Sequence, residues 1–395
     1  MELFNAQNVN LDALKKKAFN YRWAEVSEGV IPLTAADPDF PAAREISQAI
    51  IDYLQDGYLS YTPKLGFPSF REAIAKDLRE RKNEPVSADL VLPIDSAARG
   101  MYIAAAAVLK EGDEAIVFDP VDYLFKNACM AAGATPVYFP TVVKDGEIDF
   151  SDLESYITPN TKMFCLCNPH NPLGKVYSKE TLDHILTLCE KYGIWIMNDE
   201  IWSDITYGDR DFVSINSLGA ERNAKTISIY GFSKAYGVAG LRAGCIYCMD
   251  EAVFDKIVEV SGVMTTAGGI ASLSQIGAEA CITKARYWTV AFLEHLKGNR
   301  DYAYSRLKEM PGIKPNLPEA TYLFWMDISG LGMSSDEFCD YMVENAKLAL
   351  VPGSEKMFGP GAEGYVRLCF ATSREILTEG LDRLEAGLKK LCSER

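Results

Sequence analysis

The sequence predicts an α/β fold: a large domain on a mostly parallel seven-stranded sheet, joined to a smaller α+β domain. Three observations predict it. Between residues 90 and 260, short β-rich runs alternate with helical stretches, the pattern of a sheet wound with crossover helices. Several of those runs are apolar throughout, as strands are when helices cover both faces of a sheet. From about Ala280 the alternation gives way to one long amphipathic helix and then to isolated strands and helices.

The expected strands of the large sheet are Leu90–Ile94, Ala115–Phe118, Thr135–Phe139, Lys162–Cys167, Ile194–Asn198, Thr226–Tyr230 and Gly244–Met249. Helices are expected between them at Ala97–Lys110, Lys179–Lys191 and Glu251–Val260. Glu111-Gly112-Asp113 and Tyr192-Gly193 supply helix stops just before strands. In the C-terminal part, a helix over Ala285–Met310 leads through Pro311-Gly312 to a strand at Tyr322–Asp327. A helix at Ser335–Asn345, a strand at Tyr365–Phe370 and a terminal helix complete it. The expected division is an N-terminal arm (1–45) packing with the small domain, a large domain (46–280) and a small domain (281–395).

Composition limits the function. The 395 residues carry 40 Lys+Arg and 55 Asp+Glu, a formal charge of −15. At 48% hydrophobic and 24% charged, the chain is an ordinary globular one, not disordered, collagenous or coiled-coil. The acidic balance argues against a nucleic-acid surface, which needs Lys and Arg to neutralise phosphates. It says nothing about a local pocket for one small phosphate. Met1-Glu2-Leu3-Phe4-Asn5 lacks the basic and apolar regions of a secretory signal. The longest apolar run, Met101–Leu109, falls short of the ~20 residues that span a bilayer and reads as a buried helix. The ten cysteines form no disulfide scaffold. Cys245-Ile-Tyr-Cys248 has no second pair for zinc and lies in an apolar run, and Cys165 and Cys167 likewise read as core. With three histidines and no HExxH pattern, no metal site is expected, and the setting is expected to be cytoplasmic.

The chemistry concentrates in three segments. Tyr230-Gly-Phe-Ser233-Lys234-Ala-Tyr-Gly237-Val-Ala-Gly240-Leu-Arg242-Ala-Gly244 places a lysine where a strand exits into a glycine-rich loop. There Lys234 is a candidate Schiff-base nucleophile, and Arg242 can grip an oxyanion with both arms of its guanidinium. An exposed loop lysine is the plainer reading of this segment by itself. Cys167-Asn168-Pro169-His170-Asn171-Pro172-Leu173-Gly174 follows another strand, and Gly193-Ile-Trp-Ile-Met-Asn198-Asp199-Glu200 ends a third in two acids. Carboxylates at the carboxyl end of a buried strand face the crevice where α/β sheets bind ligands. A buried Asp199 needs a cation or a proton, and a protonated pyridine nitrogen would answer it. Asn171 offers an amide donor for a phenolate oxygen.

Asn171, Asp199, Lys234 and Arg242, in this order and spacing, resemble the class I and II aminotransferases among the fold type I pyridoxal-phosphate enzymes. The resemblance runs over nearly the whole chain. Tyr61-Thr-Pro-Lys-Leu-Gly66-Phe-Pro-Ser-Phe-Arg71-Glu-Ala-Ile-Ala75 is similar to an early motif of that family, and Gly364-Tyr-Val-Arg367-Leu-Cys-Phe-Ala371 to a late one. The resemblance implies pyridoxal 5'-phosphate held by Lys234 as an internal aldimine, with the same lysine as acid and base. It implies Asp199 on the pyridinium nitrogen, Asn171 on the ring oxygen O3′, and Ser233 and Arg242 on the phosphate. The backbone N–H groups of Ser96, Ala97 and Ala98, opening a predicted helix, would add to the phosphate site. Tyr61 would reach the phosphate of a second subunit, implying a homodimer with shared sites. Arg367 would take the substrate α-carboxylate, helped by backbone near Ala36 and by Asn171.

The pattern departs from the family in three places. Asp122 stands where an aromatic usually stacks on the cofactor. Tyr123 is the candidate for that contact after a one-residue shift, with ordinary core packing as the other reading. Trp202 replaces a usual tyrosine, offering an indole N–H to O3′ or packing alone. Gly231 takes the place of a phosphate-binding serine, leaving that site one hydroxyl short.

The N-terminal segment Tyr21-Arg-Trp23…Ile31-Pro-Leu-Thr-Ala35-Ala-Asp37-Pro-Asp39-Phe40-Pro41 resembles instead the cystathionine β-lyase-like C–S lyases of the same fold. So do Asn168–Pro172 and Asp199-Glu-Ile-Trp-Ser-Asp204. Gly240-Leu-Arg242-Ala-Gly244 has the aminotransferase form. Transamination between an amino acid and a 2-oxo acid is the favoured reading and β-elimination the alternative. A non-catalytic cofactor-binding regulator would need a DNA-binding domain, for which the roughly 30 residues before Ile31 leave no room. Segment 261–270 carries no Arg to meet a distal carboxylate, which points to a neutral or unusual amino acid, with Arg22 as a possible substitute source.

Overall fold

The computed structural model describes residues 3–266 and 268–393. Met1 and Glu2 of the N-terminal reading, Ala267 of segment 261–270, and Glu394 and Arg395 lie outside the described residues.

Seven strands form the large sheet: β1 (Val91–Ile94), β2 (Glu114–Asp119), β3 (Thr135–Pro140), β4 (Thr161–Cys167), β5 (Trp195–Asp199), β6 (Thr226–Gly231) and β7 (Gly244–Tyr247). Their spatial order is β1-β7-β6-β5-β4-β2-β3. Only β7 is reversed, pairing antiparallel with β1 and β6. The parallel strands β6, β5, β4 and β2 therefore end side by side along one edge. Along β6, Ile227 and Ile229 enter one apolar core and Tyr230 the other, because successive side chains leave a strand on opposite faces.

Local signals set the helices that deliver these strands. Lys179–Tyr192 starts where Ser178 Oγ accepts the Thr181 N–H at 3.2 Å. It stops at Gly193, whose φ of 67° suits a residue without a Cβ, and the chain runs straight into β5. Helix Ala97–Val108 begins beyond Ser96, whose hydroxyl accepts the Arg99 N–H at 3.1 Å. It is the buried helix expected from the Ala-rich run.

A second, antiparallel sheet comprises β8 (Lys314–Pro315), β9 (Leu323–Asp327), β10 (Val351–Pro352) and β11 (Tyr365–Cys369), in the order β8-β9-β11-β10. Helix Ser335–Ala346, opened by a capping box between Ser334 and Glu337, and helix Arg374–Ser393 accompany it. The arm joins these elements: Ile31 and Pro32 pair with Leu348 and Ala349, and Leu33 C=O accepts the Cys369 N–H at 3.0 Å. The sequence reading did not anticipate helices Arg44–Leu54, Pro68–Lys82, Leu124–Ala131 and Ser272–Lys284. Among the described residues no helix is long and apolar enough to cross a membrane.

The loop after β4 is fastened to the second sheet. Gly174 C=O accepts N–H groups from Glu319 and Ala320 at 2.8 and 2.9 Å, and Asn316 donates to Leu173 C=O at 2.7 Å. Gly174 has φ of 63°, and a Cβ there would lie 2.5 Å from Pro318 Cβ and 2.8 Å from Ala320 O. Gly174→Ala is therefore expected to lower the unfolding free energy by about 2 kcal/mol or more. Urea denaturation checks this, and an unchanged midpoint would contradict it.

Candidate active site

Four adjacent strands of the large sheet each deliver one polar side chain at or just beyond their carboxyl ends. Lys234 follows β6, Asp199 ends β5, Asn171 follows β4 and Asp122 follows β2. This is the crevice position at which open α/β sheets bind ligands.

Lys234 sits in the four-residue helix Ser233–Tyr236. Its Nζ donates to Ala36 C=O at 2.8 Å and lies 5.5 Å from the centre of the Trp202 ring. Tyr322 Oη donates to the same carbonyl at 3.1 Å, and its ring meets Trp202 edge-on at 4.7 Å. One backbone oxygen of the arm thus receives groups from both sheets. Burial lowers the Lys234 pKa and the Arg367 charge adds to this, against the pull of Asp37 and Asp122.

Asp199 and Glu200, adjacent in sequence, part company. Glu200 enters a buried network with Lys82 at 3.1 Å, Asn198 at 2.9 Å and Ser214 at 2.7 Å. Asp199 is 5% exposed, accepts the Ile201 N–H at 3.0 Å and has no ion-pair partner among the described residues. Burial, with the nearby Asp122 and Glu200 charges, pushes its carboxyl up to about 7.

Asn171 is buried, its Nδ2 donating to Asp122 Oδ2 at 3.3 Å and its Oδ1 accepting from Arg367 Nη1 at 3.2 Å. Arg367 is buried at the centre of β11, pairs with no carboxylate among the described residues, and its Nε has no partner. Burial lowers its pKa, against the Asp122 charge. The site thus holds a buried carboxyl without a cation and a buried guanidinium without an anion. Such charges are costly unless a ligand answers them. A protonated ring nitrogen fits the first and a substrate carboxylate the second.

The start of helix Ala97–Val108 lies against two glycines flanking the lysine segment. A Cβ on Gly244 would be 3.0 Å from Ala97 N, and one on Gly231 3.4 Å from Ala97 Cβ and 3.2 Å from Ile201. The glycine at 231 therefore belongs to a close approach of β6 to the helix N-terminus. Ser96 and Ala98 are half-buried, as is Ser233, and the first N–H groups of this helix suit an anion. Arg242 is exposed, held at φ 50° at the end of the turn Ala239–Leu241, and its side chain makes no hydrogen bond or ion pair among the described residues. Together these residues fit a phosphate.

The structure brings Lys234, Ala36, Asp199, Asn171, Trp202 and Arg367 together. It leaves Tyr61 apart, 92% exposed on a cleft of about 840 Å³ shared with Val263–Thr266 and Gln275. Tyr123 is half-buried, its N–H on Met357 C=O at 3.0 Å. Arg22 is a correction: it is not free to meet a distal carboxylate. It is buried in an ion pair with Asp39 and donates to Pro32 and Ala35 C=O, both at 3.2 Å, so it clamps the arm. Reading the sequence missed Tyr322, which stands out there only as a hydroxyl at the head of an apolar strand. It noticed Asp122 only as a departure.

Residues 28–384 match the family Aminotransferase class I and II. An aspartate aminotransferase of Pyrococcus horikoshii is 30% identical over 98% of this chain and 97% of its own. The cystathionine beta-lyase PatB of Bacillus subtilis is 30% identical over 91% and 92% of the two chains. Among solved structures, a cystalysin of Treponema denticola containing a pyridoxal 5'-phosphate cofactor superposes with a TM-score of 0.88. Its identity is 25%, over 95% of this chain and 97% of that one.

One pH dependence follows from Asp199. Its carboxyl titrates at about 7 when folded, against about 4 in an unfolded chain. The folded chain therefore holds a proton that the unfolded chain has released. This contribution to stability is complete below about pH 4 and is lost as the pH rises through 7. Without cofactor, the protein is expected to lose stability between pH 5 and pH 8 relative to Asp199→Asn. Urea unfolding of both at the two pH values checks this, and parallel changes would contradict it.

Proposed function

The chain belongs to the class I and II aminotransferases, of fold type I and dependent on pyridoxal phosphate, and from that premise we propose how its own residues move an amino group between an amino acid and a 2-oxo acid. The observation carrying this reading is a buried Asp199 carboxyl without a cation and a buried Arg367 guanidinium without an anion among the described residues, both in electrostatic reach of the Lys234 amine. When bound, pyridoxal phosphate supplies an electron sink that stabilises negative charge developing at the substrate α-carbon.

Lys234 would hold the cofactor through its amine. Once the substrate amino group has displaced it, the freed amine would take the proton from the α-carbon and deliver it to the cofactor's former carbonyl carbon, across the shared nitrogen. The lowered pKa of its ammonium supports both tasks. Asp199 keeps the ring nitrogen protonated, and Asn171 donates to the ring oxygen. Trp202 packs beside the reacting lysine, and Tyr123 is kept as the candidate ring contact. Ser96, Ala97 and Ala98 offer backbone N–H groups to the phosphate, with the Ser233 hydroxyl and Arg242 beside them. Arg367 binds the α-carboxylate beside the backbone at Ala36, whose carbonyl accepts from Lys234 and Tyr322. With Arg22 committed to Asp39, a donor with an uncharged side chain suits this chain. The functional division keeps 1–45 as arm, 46–280 as the cofactor-holding part and 281–395 as the part carrying Arg367. Nine buried free thiols suit a reducing, cytoplasmic setting.

A homodimer with shared sites is part of the same proposal. Tyr58, Leu59 and Tyr61 are 75%, 62% and 92% exposed in one segment, an apolar strip suited to burial by a second copy. Tyr61 of the partner subunit would then complete the phosphate site.

Two experiments test the reading. Purified protein with pyridoxal phosphate is expected to show a band near ~420 nm that Lys234→Ala abolishes. An amino acid should bleach the band and a 2-oxo acid restore it. Release of pyruvate, ammonia and a thiol from a cysteine conjugate, without that reversal, would favour the lyase chemistry of the PatB relative. Mixing Tyr61→Ala with Lys234→Ala subunits should restore activity to about a quarter of wild type, since half the dimers regain one intact site. Absence of any gain would contradict shared sites.

A further inference from the structure

Asp122 has no role in the scheme above, yet its carboxylate lies inside the site. Oδ1 accepts the Leu124 N–H at 3.1 Å, fixing the side chain to the turn that opens helix Leu124–Ala131. Oδ2 accepts Asn171 Nδ2 at 3.3 Å, and Asn171 Oδ1 in turn accepts Arg367 Nη1 at 3.2 Å. An anion, an amide and a cation thus form one chain across three elements.

The charges at its two ends decide which way the amide points. Turned by 180°, Asn171 would set its oxygen against the Asp122 carboxylate and its NH2 against the guanidinium. Both contacts would then be repulsive. Arg367 depends on this amide. Its hydrogen bond to Asn171 is the one its side chain makes among the described residues, and its other neighbour of note is the Phe358 ring, 5.1 Å from Cζ. A guanidinium on a flexible stem binds a carboxylate well only when its orientation is fixed beforehand.

We propose that Asp122 is a positioning residue: through Asn171 it holds the Arg367 guanidinium so that its unpartnered Nε edge faces the substrate carboxylate. An aromatic side chain at 122 could not take this part, so the departure at this position is a change of device. The inference rests on the reading that Arg367 binds the α-carboxylate. It extends to amino acids and 2-oxo acids alike, because both present that group.

Asp122→Ser tests it in the holoenzyme. Serine can still accept the Leu124 N–H and preserve the turn, but it is too short to reach Asn171. The KM of the amino donor should rise about tenfold, the worth of one charge-assisted hydrogen bond, with kcat falling by less. The dissociation constant of acetate, read from its perturbation of the cofactor absorbance, should rise in parallel. Asp122→Asn, which keeps an acceptor oxygen at full reach without the charge, should recover part of both losses. The proposal is overturned if Asp122→Ser leaves KM and the acetate constant unchanged, if it lowers kcat alone, or if Asp122→Asn is no better. Arg367→Ala separates the two levels: an unchanged KM there would defeat the carboxylate reading itself.

Discussion

Asp199 is buried at the end of a central strand with no cation among the described residues to answer its carboxyl, and the rest of the site can be understood from that constraint. A folded chain keeps such a group only by holding a proton on it or by reserving the place for a positively charged ligand. Arg367 presents the opposite deficit a short way off, a buried guanidinium tied to one neutral amide. Lys234 stands in the field of both, its amine on a backbone carbonyl and its charged form disfavoured by burial. Hydrophobic packing alone would not select these three states. A ligand with a protonated ring nitrogen, a carbonyl reactive toward an amine and a partner carboxylate would relieve all of them.

The fold supplies the framework cheaply. Four parallel strands ending along one edge deliver Lys234, Asp199, Asn171 and Asp122 side by side, and close glycine contacts bring a helix N-terminus against the lysine segment. The second sheet and the arm then close the crevice. Arg22 and Asp39, paired out of water, hold the arm so that Ala36 C=O faces both Lys234 and Tyr322. The arm is therefore part of the site's architecture. A loop fastened through Gly174 ties Asn171 to the second sheet, so the amide that meets Arg367 is held from both sides.

Much of this was legible in the sequence because the large sheet announces itself locally. Its seven strands are short runs rich in apolar residues, several of them apolar throughout, and each appears where the runs predict it. The helices that were missed, such as Pro68–Lys82, mix charged and apolar residues; that one opens on a proline but with no capping side chain, and tertiary packing makes its buried face evident. Within the site, the strand-end residues were readable from motif and spacing. Asp122 was visible but not interpretable, because its contact with Asn171 joins positions 49 apart. Arg22 was misjudged as an available cation. Its capture by Asp39 depends on a chain path that no local pattern encodes.

The buried Asp199 carboxyl and Arg367 guanidinium both lie in electrostatic reach of one particular amine, that of Lys234. The most direct measurement is to incubate the protein with pyridoxal phosphate, reduce with borohydride, digest, and identify the modified peptide by mass. A single reduced pyridoxyl adduct on Lys234 is expected. An adduct on another lysine, or none, would contradict it.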